Sequence, residues 1–176
     1  MRVPDLYEEM RLIKRHFSFL FEQGARVLSS SQDARAFGNI IVELETPDLR
    51  VQFIRDRGEI ILALETLRSD PAPDSPDWCD LIGIVWYLTQ KRLLIASYLD
   101  NRMDDEKQLE QLAKVFHHFY DQLVALFQVD TYNQNKEGIL LLFRDLQQLF
   151  IDRHLKDEKQ KLLNQSAPFW EQLNSV

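Results

Sequence analysis

The chain has 176 residues, 45% of them hydrophobic, 11% aromatic and 28% charged, and that balance excludes wholesale disorder. The length suits one domain with a real core rather than two independent ones. A net charge of −7, spread along the chain with no basic block to offset it, argues against a dedicated binder of nucleic acid or of anionic membranes.

Cys79 is the single cysteine, which excludes an internal disulfide and any multi-cysteine zinc or iron–sulfur site. The opening run MRVPDLYEEMRLIKRHFSF brings acidic side chains early and no apolar stretch of signal length. No segment has the roughly 18 uninterrupted apolar residues of a membrane span. A soluble protein in a reducing cytoplasm is the expectation, with no cofactor.

Asp5 with Glu8 has capping-box spacing, and Pro4 prevents backward extension. Leu6, Met10, Ile13, Phe17 and Leu20 recur at threes and fours, one face of a helix that Gly24 can end in a left-handed conformation. Ala25 to Leu28 reads as a short strand before the polar stretch Ser29 to Asp33. Ile40, Val42 and Leu44 then alternate with Ile41, Glu43 and Glu45, the period of a half-buried strand. Pro47-Asp48 supplies a turn, and Leu49, Val51 and Phe53 mark a second strand. Asp56-Arg57-Gly58 is another turn, and Ile60, Leu62 and Leu64 mark a third. Short connections make the pairing antiparallel, a three- or four-stranded meander whose polar face carries Glu43, Glu45, Arg50, Gln52 and Glu65.

Three prolines between Ser69 and Asp77 stop helix and sheet alike, so this segment reads as the passage from sheet to helices. Ser75 as cap with Pro76 at the first position opens a helix bearing Trp78, Leu81, Ile82, Val85, Trp86 and Leu88. Leu93 to Leu99 fits either a helix or a buried strand. Asp104 caps the next helix, with Asp105 and Glu106 at the positive end of its dipole. Its apolar stripe is Leu109, Leu112, Phe116, Phe119, Leu123 and Leu126. Residues 129–136 read as a connector. Ile139, Leu142, Leu146 and Leu149 form a second stripe, ending near His154, so the two helices are predicted to form an antiparallel hairpin. The tail begins charged and ends with Phe169, Trp170 and Leu173, which fits a docked helix. The predicted fold is α+β, a single domain over 1–176: helix and sheet in 1–68, a helical half in 76–155, and a tail in 156–176.

Signatures of chemistry are absent from the sequence. Glycines at 24, 38, 58, 83 and 138 build neither G-x-x-x-x-G-K-[ST] nor G-x-G-x-x-G, and G-x-S-x-G and H-E-x-x-H do not occur. His117 with Asp121, and His154 with Glu158, have metal-ligand spacing but no third ligand nearby. Cys79 stands beside a helix start, which lowers a thiol pKa, yet Trp78 next to it points to burial and a structural role. Asp56-Arg57-Gly58, with Glu59 and Arg55 alongside, is a dense ionic turn, either a recognition tip or a hairpin end kept soluble by its charges. A pocket between sheet and helices would draw on His117, Arg57, Glu59 and Trp78. No catalytic, cofactor-binding or metal residue is assigned; the candidate interaction or pocket residues are Asp56, Arg57, Glu59, Trp78 and His117.

Phe37-Gly38-Asn39, an alternating strand, the run Arg50 to Glu59 and a Trp78 opening a helix together resemble a pattern found in small uncharacterised bacterial proteins. Some of these are grouped with immunity proteins, which neutralise toxins from competing cells. The resemblance spans residues 37–86, and no functional residue is carried over from it. It implies a non-catalytic, acidic, protein-binding role. The expected function is therefore non-enzymatic binding of a protein partner, its basic charge complemented by the acidic surface. Two alternatives stand beside it: a small-molecule-binding or enzymatic domain with a pocket between sheet and helices, and a structural homodimer through the C-terminal helices.

Overall fold

Asp5 caps the first helix as predicted, its carboxylate accepting from the Tyr7 amide at 3.1 Å in the computed structural model of the chain. That structure describes residues 5–33, 39–56, 58–67, 78–90, 93, 104–151 and 156–174. Glu8 pairs with Arg11 at 2.6 Å. The single predicted helix is two: α1 (Leu6–His16) and a short α2 (Ser18–Glu22), parted at the fully buried Phe17. Gly24 ends α2 at φ +99, with the Ala25 amide donating to the Leu20 carbonyl at 2.9 Å and the Gly24 amide to Phe21 at 3.1 Å. This pair of hydrogen bonds is the Schellman arrangement, which a residue at ease with positive φ sustains.

The sheet follows as an antiparallel meander of five strands in sequence order: β1 (Arg26–Asp33), β2 (Asn39–Glu45), β3 (Leu49–Asp56), β4 (Glu59–Thr66) and β5 (Cys79–Asp80). The α+β class is as predicted, with two differences. First, β1 runs through the serines instead of stopping at Leu28, in register from Arg26 opposite Glu45 to Asp33 opposite Asn39, with a bulge at Leu28. All eight of its side chains are exposed, and an edge strand that buries neither face needs no apolar alternation. Second, Trp78 does not open a helix. Cys79 and Asp80 are held extended by pairing with Leu64 and Ala63 of β4, and α3 (Leu81–Leu88) starts only after Asp80, whose carboxylate accepts from the Ile82 amide at 3.0 Å. Ser75 and Pro76, Phe37 and Gly38, the stretch 94–99 and His154 lie outside the described residues.

The alternation read in β2, β3 and β4 sorts their side chains onto two faces. Ile40, Val42, Leu44, Leu49, Val51, Phe53, Ile60, Leu62 and Leu64 are buried on the inner face. The outer face carries the predicted polar set as cross-strand pairs. Arg26 meets Glu45 at 2.5 Å, Arg50 reaches Glu45 at 3.4 Å and Glu65 at 3.8 Å, and Glu43 accepts from Gln52 at 2.8 Å and Ser29 at 2.9 Å. The Arg26 guanidinium holds Glu45 below the usual carboxylate range.

α4 (Asp105–Leu126) lies along the inner face. At one end Gln108 touches the β3–β4 turn, and at the other the Tyr120 hydroxyl donates to Asp48, in the β2–β3 turn, at 3.2 Å. Burial pushes the Tyr120 pKa up to about 12. The rise from Asp105 to Tyr120, roughly 22 Å, matches the roughly 23 Å of β3, so the helix runs opposite to that strand. Its predicted stripe from Leu109 to Leu126 is buried in this core, where Phe17 packs edge-on to Phe53 at 4.8 Å and against Phe116 at 6.0 Å.

Only Phe127 and Gln128 separate α4 from α5 (Val129–Ile151), so the predicted connector 129–136 is instead the first turns of α5. Tyr132, 2% exposed and stacked on Phe127 at 5.2 Å, anchors those turns despite their polar composition. α5 packs mainly on α3, with the backbones close enough that a Cβ on Gly83 would sit 2.4 Å from the Phe143 ring. α6 (Lys156–Asn174) docks through Phe169, which lies 5.0 Å from His118 and 5.9 Å from Phe119. Among the described residues of the helical half the exposed large apolar side chains are Val129, Leu140 and Leu141, not the α4 stripe.

Gly83→Ala is expected to destabilise. Overpacking costs about 1–3 kcal/mol, more than the ~1 kcal/mol that alanine's helix propensity returns. Urea unfolding should show the loss shrinking in a Phe143→Leu background.

Candidate functional site

The β3–β4 turn and the start of α4 meet at one end of the sheet. Asp56 and Glu59 are a cross-strand pair closing the hairpin, and Gly58 takes φ +87 at the exposed tip. Arg57 lies outside the described residues. The Gln108 side chain grips this turn twice: its Nε2 donates to the Gly58 carbonyl at 2.9 Å and its Oε1 accepts from the Ile60 amide at 3.1 Å. A buried amide side chain thus stands in for one more paired strand.

Beneath the turn, Arg55 is buried and ties three elements together. Its Nε donates to Glu9 of α1 at 2.8 Å, its Nη2 bonds the same carboxylate oxygen, and its Nη1 pairs with Asp105 of α4. Glu9 is 3% exposed. Burial raises its pKa above the ordinary 4.5; Arg55 opposes that shift without cancelling it, and the charge of Asp105 adds to it. Arg15 of α1 pairs with Glu106 of α4, and His16 Nε2 stands 3.9 Å from the same carboxylate. Burial lowers the His16 pKa. Asp104 caps α4 by accepting from the Lys107 amide at 2.9 Å, as predicted. Asp56 and Glu59 of the turn and Asp104, Asp105 and Glu106 of α4 thus lie at the same end of the sheet, Asp56 and Glu59 at outer-face positions of their strands and Asp105 and Glu106 paired with Arg55 and Arg15 on the inner side.

The other candidates lie elsewhere. Trp78 is half-buried next to the β5 pairing with Leu64, roughly 17 Å along β4 from Glu59. His117 is exposed, roughly 13 Å along α4 from Gln108, and edge-on to Phe19 at 4.8 Å. The pocket set of Arg57, Glu59, Trp78 and His117 is thus not drawn together at one place by its described members. Cys79 is buried, 3.1 Å from the Tyr132 hydroxyl. Among the described residues no cluster of three or more His, Cys, Asp or Glu side chains is placed to hold a metal, and no helix is long and apolar enough to cross a membrane. A depression lined by Asp157, Gln160, Lys161, Asn164 and Gln165 of α6 is shallow and open to solvent.

Sequence reasoning missed Glu9 and Gln108, and placed Arg55 in the ionic turn when it is buried beneath it. Arg55 had a signal: it follows Leu49, Val51 and Phe53 at an inward position, where a charge must find a buried partner. Compared with protein-family models, curated proteins and solved structures, the chain matches none of them.

Arg55→Met strands the carboxylate of Glu9 and is expected to cost about 3–5 kcal/mol in urea unfolding. Glu9→Gln should cost much less and change the pH profile. Because the folded protein binds the Glu9 proton more tightly than the unfolded chain does, this group's contribution to stability falls as pH rises from 4.5 through its raised pKa. Wild type should therefore gain on Glu9→Gln as the pH is lowered from neutral toward 4.5, and an unchanging difference would contradict the shift.

Proposed function

We propose that this chain is a non-enzymatic protein that binds a basic protein partner through the acidic end formed by the β3–β4 turn and the first turn of α4. The observation that supports this most is the double grip of Gln108 on Gly58 and Ile60, which fixes the turn bearing Asp56 and Glu59 to the helix whose first turn bears Asp104, Asp105 and Glu106. A preset acidic surface loses little conformational freedom on binding and attracts a basic partner over a distance that salt shortens. Toxin neutralisation, the role implied by the resemblance to immunity proteins, is the narrower form of this reading, with the cytoplasm as its setting.

Affinity capture tests the reading. The tagged chain is expected to retain one stoichiometric basic partner from its native lysate at about 50 mM salt and to release it at about 0.5 M. The Asp56→Lys/Glu59→Lys variant should retain none at either salt. A partner held equally by both proteins would move the contact away from the hairpin tip, and no partner at low salt would overturn the reading.

A further inference from the structure

We infer that β1 is an interface between two copies of this chain, which pair antiparallel about a two-fold axis at Ser30 and join their sheets into one. The pairing does not depend on the acidic end, although Asp33 closes β1 at the same end of the sheet as Asp56. Every β1 side chain is exposed on both faces, the strand contains no proline, and its two charged residues, Arg26 and Asp33, stand only at its ends. Its one irregularity, the bulge at Leu28, fixes which side chains share a face.

The pairing with β2 places Arg26, Ser29, Ser31 and Asp33 on the outer face, opposite Glu45, Glu43, Ile41 and Asn39. Two antiparallel strands related by a two-fold axis must set residues of the same face opposite each other. With Val27 and Leu28 counted as one step across the bulge, an axis at Ser30 meets that condition throughout. Arg26 then faces the partner's Asp33, Ser29 the partner's Ser31, and the bulge the partner's Gln32. The Arg26–Asp33 pairing is made twice, once on each side of the axis. An axis at Ser29 or at Ser31 keeps the faces matched but sets Arg26 or Asp33 against a serine or a neighbouring segment.

Charge selects the same register. The outer face carries a row of alternating sign, Glu65, Arg50, Glu45 and Arg26, one residue from each of four neighbouring strands. The row ends at the open edge on Arg26, whose side chain is 73% exposed and already holds Glu45. A guanidinium has donors for a second carboxylate, and the partner's Asp33 supplies the next acid in the alternation.

Two experiments test this. In the first, Ser30→Cys is oxidised mildly; opposite side chains at the axis have Cβ atoms about 5 Å apart, near disulfide range, and Cys79 is buried. A covalent dimer is expected, and none from Leu141→Cys, which marks the exposed leucines of α5. In the second, sedimentation compares wild type with Arg26→Asp and Asp33→Arg, with folding checked by circular dichroism. Each variant alone should dimerise about tenfold more weakly or not at all, because like charges then face each other. An equal mixture of the two should recover the dimer, since both facing pairs are again of opposite sign. A monomeric wild type at about 100 μM, cross-linking only through Leu141→Cys, or a mixture no better than its components would overturn the proposal.

Discussion

Arg55 is a charge placed where the alternation of β3 demands an apolar side chain, and a buried guanidinium is tolerated only when its donors are matched. Glu9 and Asp105 match them, from α1 and from the first turn of α4. That requirement sets where both helices begin relative to the sheet. Once Asp105 is fixed at the β3–β4 end, the rise of the helix carries Tyr120 to Asp48 at the other end of the strand, and the stripe from Leu109 to Leu126 falls onto the inner face. The ionic pairing supplies orientation, while the burial of Phe17, Phe53 and Phe116 supplies most of the driving force.

The same clamp shapes the surface. Asp105 is pulled under the hairpin by Arg55, and Gln108, one turn later, closes on the turn itself. Acidic residues from two separate stretches of sequence end up at the same end of the sheet. The outer face of the sheet is organised differently, by cross-strand pairs of alternating charge that offset one another and terminate at the exposed edge.

The sheet was legible where burial is one-sided. In β2, β3 and β4 a two-residue period separates a packed face from a polar one, and the caps Asp5 and Asp104 and the left-handed Gly24 carry local signatures that need no tertiary information. Legibility failed where context decides. The serines of β1 form a strand because β2 offers a ladder, not because they prefer one. Residues 129–136 read as a connector because six of the eight are polar, yet the burial of one tyrosine, Tyr132, holds them in α5. Trp78 and Cys79 were assigned to a helix that begins later because β4 still has an edge to pair. At the candidate site, Asp56 and Glu59 were visible as turn chemistry. Their anchors were not, because Glu9, Arg55 and Gln108 are joined over 46 to 50 residues of sequence.

Arg55 and Gln108 are expected to make α1, the β3–β4 hairpin and α4 one cooperative unit. Native-state hydrogen exchange in increasing urea tests it directly, through the amides of Phe17, Ile60 and Leu112. The expected result is a common opening free energy with a common urea dependence for all three. If the Phe17 amide opened at markedly lower free energy than those of Ile60 and Leu112, α1 would be shown to detach on its own, and the clamp would not be what holds the fold's end together.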